Sequence, residues 1–237
     1  MAKLDSLSPS VKTRLDELAA SLVKICGKNL VGLVVHGSAV HGGWREASSD
    51  VDLICVLDDD PESVLASIGP ALELARFSAR IETMILTRAE ISRSADCFPL
   101  LYSDIARASI TLAGTNPFEA LTIAVAHKRI RIEQELREIR IRMRRVATDM
   151  SGAASFGGAV ERKIKQARGP LWALLAYRGE TVEETLEAVL AAAGKAYDVD
   201  PAPLRRARED PAAAFEALRK LLDAALADVD NRGSEAA

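Results

Sequence analysis

Residues 36–57 read HGSAVHGGWREASSDVDLICVL, and the organisation of the chain follows from what lies at their two ends. The preceding run, LVGLVVH (30–36), is short, rich in valine and bounded by glycine. VDLICVL (51–57) has the same texture. Continuous apolar runs of this length read as strands buried on both faces. Two strands therefore flank a glycine-rich turn, and a period of two along the second places Asp50 and Asp52 on one face while Val51 and Leu53 point into the opposite core.

Working outward, Ser8 and Pro9 read as a cap and first turn, and Val11, Leu15, Leu18, Leu22 and Ile25 then recur at helical spacing until Gly27 to Asn29 stop the helix. A helix is expected from about Pro61 to Phe77, with Gly69 and Pro70 as a site for a kink. ARIETMIL (79–86) is a third strand, and Thr87 with Glu90 forms a capping box for a short helix. After Gly114 the texture changes. Asn116, Pro117 and Glu119 supply a cap for a helix running to about Asp149, a small-residue break spans Gly152 to Gly158, and helices follow near 159–178, 181–194 and 211–229 before a tail, NRGSEAA, expected to fray. The fold class is α+β: a small mixed-sheet domain over 1–114, then a helical bundle over 115–237.

Composition narrows the function. At 237 residues with 49% hydrophobic and 27% charged, the chain can bury a core and is not disordered. Aromatics at 4% argue against a base-stacking platform, and a formal charge of −3 supplies no global field for nucleic acid or anionic lipid. Cys26, Cys55 and Cys97 form neither a C-x-x-C pair nor an even set, so packed thiols in a reducing compartment are expected rather than zinc or disulfides. The start, MAKLDSLSPS, lacks a basic stretch followed by an apolar run, and no segment approaches the roughly 18 apolar residues of a membrane span. The expectation is a soluble, cytoplasmic protein.

Two carboxylates on one edge of a strand repel unless a cation lies between them. Hard carboxylate oxygens suit Mg²⁺, which keeps some waters and binds substrate phosphates. The Gly37-Ser38 turn, opening from a strand, offers backbone N–H groups to phosphate oxygens, so turn and acid pair together describe a metal–nucleotide site. Glu82 is the only acid inside the third strand. Beside the Asp50/Asp52 strand it could bind metal or take a proton from an attacking hydroxyl.

Gly37-Ser38, eleven intervening residues and Asp50-Val51-Asp52 resemble the signature of the DNA polymerase β-like nucleotidyltransferase superfamily. GSAVHGG followed by SDVDL is similar to the version in aminoglycoside adenylyltransferases, and ARIETMIL resembles their base-bearing strand. The stretch 94–121 resembles a segment of uncharacterised bacterial nucleotidyltransferases. The resemblance implies a nucleotidyltransferase domain followed by a helical one, with Gly37 and Ser38 holding the nucleotide's outer phosphates, Asp50 and Asp52 holding two Mg²⁺ ions, and Glu82 serving as base and further metal ligand. It implies ATP as donor of AMP, pyrophosphate as leaving group and a hydroxyl acceptor, small molecule or protein, that the sequence does not name. Fold and reaction class transfer by such analogy; the acceptor and the oligomeric state do not.

Other residues carry two readings. Gly37-Ser38 alone is an ordinary turn, and Glu82 alone could be a structural ion pair. His36 reads as packed, and His41 as packed or phosphate-touching. Trp44 and Arg45 could meet a base and a triphosphate, or form a solvated loop tip. Residues 128–145 hold eight basic and three acidic side chains, either a charge-laced helix face or a surface for triphosphate or RNA. Trp172 and Tyr177 read as core.

Charge also bears on the acceptor. Residues 1–117 carry 11 basic and 15 acidic side chains, and 118–237 carry 20 and 19. A polycationic aminoglycoside would favour an acidic helical domain, which weakens that acceptor without excluding a local cluster such as Glu180, Glu183, Glu184 and Glu187. An antitoxin-like enzyme that adenylylates a partner protein stays open. No Arg-x₄₋₆-His pair precedes His127, so a fused ribonuclease toxin is not expected. A non-catalytic nucleotide-binding regulator would have little need for all three acids, and an RNA-tailing enzyme would need the basic helix. Nucleic acid and membrane are not the expected partners.

Overall fold

The computed structural model describes residues 4–46, 49–150 and 152–234. The chain divides into two compact units, Met1–Ala124 and Val125–Ala237. The first holds α1 (Pro9–Cys26), β1 (Leu30–His36), β2 (Val51–Leu57), α2 (Glu62–Ala79), β3 (Ile81–Thr87), α3 (Arg88–Arg93), α4 (Pro99–Arg107) and β4 (Ile110–Gly114). Its four-stranded sheet runs β3-β2-β1-β4. β1 is antiparallel to β2 and β4, whereas β2 and β3 are parallel and joined through α2, so the sheet is mixed and the architecture α+β.

The two central strands are buried on both faces, which is why they read as apolar runs rather than alternations. One face, with Leu33, Val35, Leu53, Cys55 and Leu57, packs beneath Val11, Leu15, Leu18 and Leu22 of α1 and Ile68 and Ala75 of α2. The other, with Val34, Ile54 and Val56, is covered by Ile91, Tyr102, Ile105 and Phe118. α2 continues through Gly69 and Pro70, and the Thr87–Glu90 capping box forms with both hydrogen bonds.

Three features depart from the sequence reading. β4 and α4 are additional elements. β4 is short and half-exposed, and α4, though amphipathic, is only 9 residues long, so neither stands out in the sequence. Asn116 does not start the long helix: its side-chain oxygen accepts the Phe118 N–H at 3.0 Å in a tight turn, and α5 begins at Val125. Phe118, fully buried, stands edge-on to Tyr102 with ring centroids 5.0 Å apart, so residues 115–124 lie with the first unit and the division falls ten residues beyond Gly114. Cys26 and Cys55 are buried, with the Cys55 thiol pushed up to about 12 by burial, but Cys97 is exposed.

The second unit contains α5 (Val125–Met150), α6 (Phe156–Tyr177), α7 (Leu186–Tyr197), a short α8 (Ala202–Arg205) and α9 (Pro211–Ser234). Ile132, Leu136, Ile139 and Met143 make one buried stripe on α5, matched by Ile164, Leu171 and Leu175 of α6 and Leu218, Leu222 and Val229 of α9. Asp210 caps α9 through the Ala213 N–H, as its position before Pro211 predicts. Trp172 is half-buried and donates to the Val182 carbonyl at 3.0 Å. α9 reaches Ser234, and the end of the tail expected to fray, 235–237, lies outside the described residues.

The polar centre of this unit is Asp228, which accepts hydrogen bonds from Arg178 at 2.7 Å, Tyr197 at 2.9 Å and Arg232 at 2.8 Å. The Arg178 guanidinium also stacks over the Tyr197 ring, 5.2 Å from its centroid. Burial works to raise the Asp228 carboxyl, yet the three donors outweigh it and hold the group below its ordinary range. A carboxyl depressed in the folded state contributes stability above its unfolded pKa, and that contribution disappears as pH falls through the folded value. Asp228→Asn is therefore expected to lose about 2–3 kcal/mol in urea denaturation at pH 7. The gap to wild type should narrow progressively below about pH 4.

Candidate active site

Strand register brings the candidate acids together. β1 and β2 pair His36 with Asp52, and β2 and β3 pair Asp52 with Glu82. Registered neighbours share a face, so His36, Asp52 and Glu82 form a row across three strands on the face that also presents Val34, Ile54 and Val56. Asp50 precedes β2 by one residue, two positions from Asp52 and on the same side.

Asp52 is half-buried. Burial pushes its carboxyl above the usual range, and the charges of Asp50 and Glu82 push the same way against the opposing effect of His36. Asp52 thus lies near two further carboxylates, and the hard oxygens of the three acids are the donor type that suits a divalent cation, whose charge would relieve the repulsion at Asp52. Burial lowers the His36 imidazole, partly offset by Asp52 and Asp104.

The turn after β1 closes on itself. Gly37–Ala39 form a single 3₁₀ turn, the Gly37 carbonyl accepts the Val40 and His41 N–H groups at 3.0 and 3.1 Å, and the Ser38 carbonyl accepts Gly43. Gly37 has φ of 71°, and a Cβ there would lie 2.5 Å from Asp52 Oδ2. Glycine is thus required for backbone conformation and for the close approach of turn to carboxylate. That approach puts the Gly37-Ser38 turn against the acid row.

Sequence reasoning missed Asp104. It lies on α4, and its carboxylate accepts from His41 Nε2 at 3.0 Å and pairs with Arg107 one turn on. Burial works to raise Asp104, but His41 and Arg107 outweigh it and hold the carboxyl below its usual range. The only sequence signal was an acid inside an amphipathic stretch whose helix itself went unread. Trp44 is half-buried against the α1/α2 cluster rather than set on a solvated loop tip.

The basic helix resolves into ion pairs within its own unit. Arg129, Arg131 and Arg137 bond Glu133 or Glu135, Arg137 also reaches Asp230, Arg140 reaches Asp223, Arg142 pairs with Glu138 and Arg145 with Asp149. Most of its positive charge is compensated locally, as a salt-bridged helix face requires.

Gly42 tests the role of Gly37. It has φ of 76° but open space where a Cβ would stand. Gly42→Ala is expected to cost about 1 kcal/mol from backbone strain alone, whereas Gly37→Ala should cost about 2–3 kcal/mol because Asp52 must also move. Equal melting temperatures for the two variants would show that the Gly37–Asp52 approach is unimportant.

A search of curated protein sequences finds no match for this chain. Among solved structures, the chain is similar to the crystal structure of spectinomycin adenyltransferase AAD(9) from Enterococcus faecialis with ATP and spectinomycin. The identity is 14% and the TM-score 0.49, over 93% of this chain and 98% of that one. The family model described as the nucleotidyltransferase domain matches residues 19–144, a span that covers more than half of the chain and encloses Gly37, Ser38, Asp50, Asp52 and Glu82. The protein is a member of the nucleotidyltransferase domain family.

Proposed function

We propose that the chain transfers AMP from ATP to a hydroxyl of a small-molecule or protein acceptor in a Mg²⁺-dependent reaction that releases pyrophosphate. Nucleotidyl transfer itself follows from family membership. The observation that carries the finer reading is the pairing of Asp52 with Glu82 on parallel neighbouring strands, beside the turn that touches Asp52. A non-catalytic nucleotide-binding regulator would have little need for all three acids beside that turn.

In this reading Asp50 and Asp52, with Glu82, hold two magnesium ions, which when bound supply neutralisation of phosphate charge and alignment of the reacting oxygens. Ser38 and the Gly37 turn receive the outer phosphates of the donor and orient its α-phosphorus toward the acid row. The acceptor oxygen bonds to the α-phosphorus while the bond from that phosphorus to the bridging oxygen of the leaving pyrophosphate breaks. Glu82 takes the proton that the acceptor hydroxyl loses.

The compensated charge of α5 favours a small-molecule or protein acceptor over an RNA primer, which would need uncompensated lysines and arginines to meet phosphates. We propose a cytoplasmic location, a reading that the free thiols support. Among the described residues no helix is long and apolar enough to cross a membrane.

The test is transfer of label from α-labelled ATP with Mg²⁺ against fractions of a cell lysate, compared with Asp52→Asn and Glu82→Gln. Each substitution is expected to reduce labelling by about 10²–10⁴-fold with the fold retained. A labelled protein band would identify a protein acceptor and a labelled small product the alternative. Labelling undiminished in Asp52→Asn would refute the assignment.

A further inference from the structure

Two of the three acids assigned to the cation carry a guanidinium group in this structure. Arg80 Nε and Nη2 both approach Asp50 Oδ1, at 2.9 and 2.8 Å, and Arg76 Nε donates to Glu82 Oε1 at 3.0 Å. Both arginines come from the end of α2, Arg76 from its last turn and Arg80 from its cap. The backbone fixes Arg80 in place: its N–H donates to the Ala75 and Arg76 carbonyls, its carbonyl accepts the Val51 N–H at 2.9 Å, and it sits at φ of 52°. The residue that follows Asp50 in the chain is thus tied to the residue whose side chain covers Asp50. Among the described residues Asp52 carries no arginine.

Resting on the cation assignment above, we propose that Arg76 and Arg80 form a cationic latch that disfavours a bare divalent ion and yields when the ion arrives with a nucleotide. The latch competes in two ways. Each guanidinium occupies a carboxylate oxygen that a cation would need, and two fixed positive charges beside the acids repel an incoming dication. It is also weak enough to release. The side chains are about half exposed, 52% and 45% for Arg80 and Asp50 and 64% and 47% for Arg76 and Glu82. Exposed pairs of this kind bias a binding equilibrium by no more than about fivefold each. A triphosphate reverses the balance, because its oxygens are better partners for a guanidinium and its charge offsets that of the ion. Metal and nucleotide then strengthen each other's binding through the arginines.

A purely structural role for the same pairs, anchoring the end of α2 to the sheet, predicts the opposite sign. Without the anchor the acids would be less ordered and metal binding weaker. The experiment is Mn²⁺ binding followed by electron paramagnetic resonance of the free ion, on the full chain, with and without α,β-methylene-ATP. Arg80→Gln is expected to tighten Mn²⁺ binding in the absence of nucleotide by about threefold, and the double variant Arg76→Gln/Arg80→Gln by about tenfold. The factor by which the analogue strengthens Mn²⁺ binding should shrink by similar amounts. Arg80→Lys, which keeps the charge, should stay near wild type, and circular dichroism confirms that the variants fold. Unchanged or weaker Mn²⁺ binding in the glutamine variants, or an undiminished effect of the analogue, overturns the proposal. Asp52→Asn separates the two levels: if it and wild type bind Mn²⁺ alike with the analogue present, the cation assignment itself has failed.

Discussion

Apolar packing holds like charges together in this protein. Asp50, Asp52 and Glu82 would move apart in a free chain. In the fold they are fixed by strands whose other residues have no freedom to slide. A one-residue slip of β2 against β3 would turn Leu53 and Cys55 out of the α1/α2 core and drive Asp52 into it. Each such side chain contributes on the order of 1.5–3 kcal/mol by burial, whereas partly hydrated carboxylates repel by a few kcal/mol at most. The hydrophobic term wins, and the repulsion remains as a standing demand for positive charge. Arginines at the end of α2 meet part of that demand, and the half-buried Asp52, with its raised carboxyl, registers the rest.

Much of this was legible in the sequence because the informative elements are buried on both faces. The apolar runs at 30–36 and 51–57, the strand after Ala79 and the Thr87–Glu90 capping box carry signals that tertiary context reinforces. The spacing from Gly37 to Asp52 is legible for a related reason, since the turn and the following strand are local to one another. The ion pairs did not announce themselves. Arg80 stands two residues before Glu82 in sequence yet reaches Asp50, thirty residues away, because the end of α2 and the start of β2 meet only through the parallel crossover. β4 is short and half-exposed, and α4, though amphipathic, spans only 9 residues, so both went unread and Asp104 was hidden with them. Asn116-Pro117 had every local mark of a helix start. The burial of Phe118 against Tyr102 overrode it.

The helical unit follows a different rule. Its core is a set of aliphatic stripes, and its charged residues are paired along and between α5 and α9, so an apparent excess of positive charge in the sequence becomes a nearly compensated surface. The partly buried polar centre around Asp228 is the exception. Arg178, Tyr197 and Arg232 converge on one carboxylate from three helical segments, which fixes how those segments meet more sharply than aliphatic contacts alone would.

The most direct test of the central claim, that the acids on β2 and β3 share divalent cations, is anomalous scattering from a crystal grown with Mn²⁺ and α,β-methylene-ATP. Manganese peaks within bonding distance of Asp52, flanked by Asp50 and Glu82 and adjoining phosphates at the Gly37 turn, are the predicted result. Nucleotide bound elsewhere with no metal on these three carboxylates would contradict it.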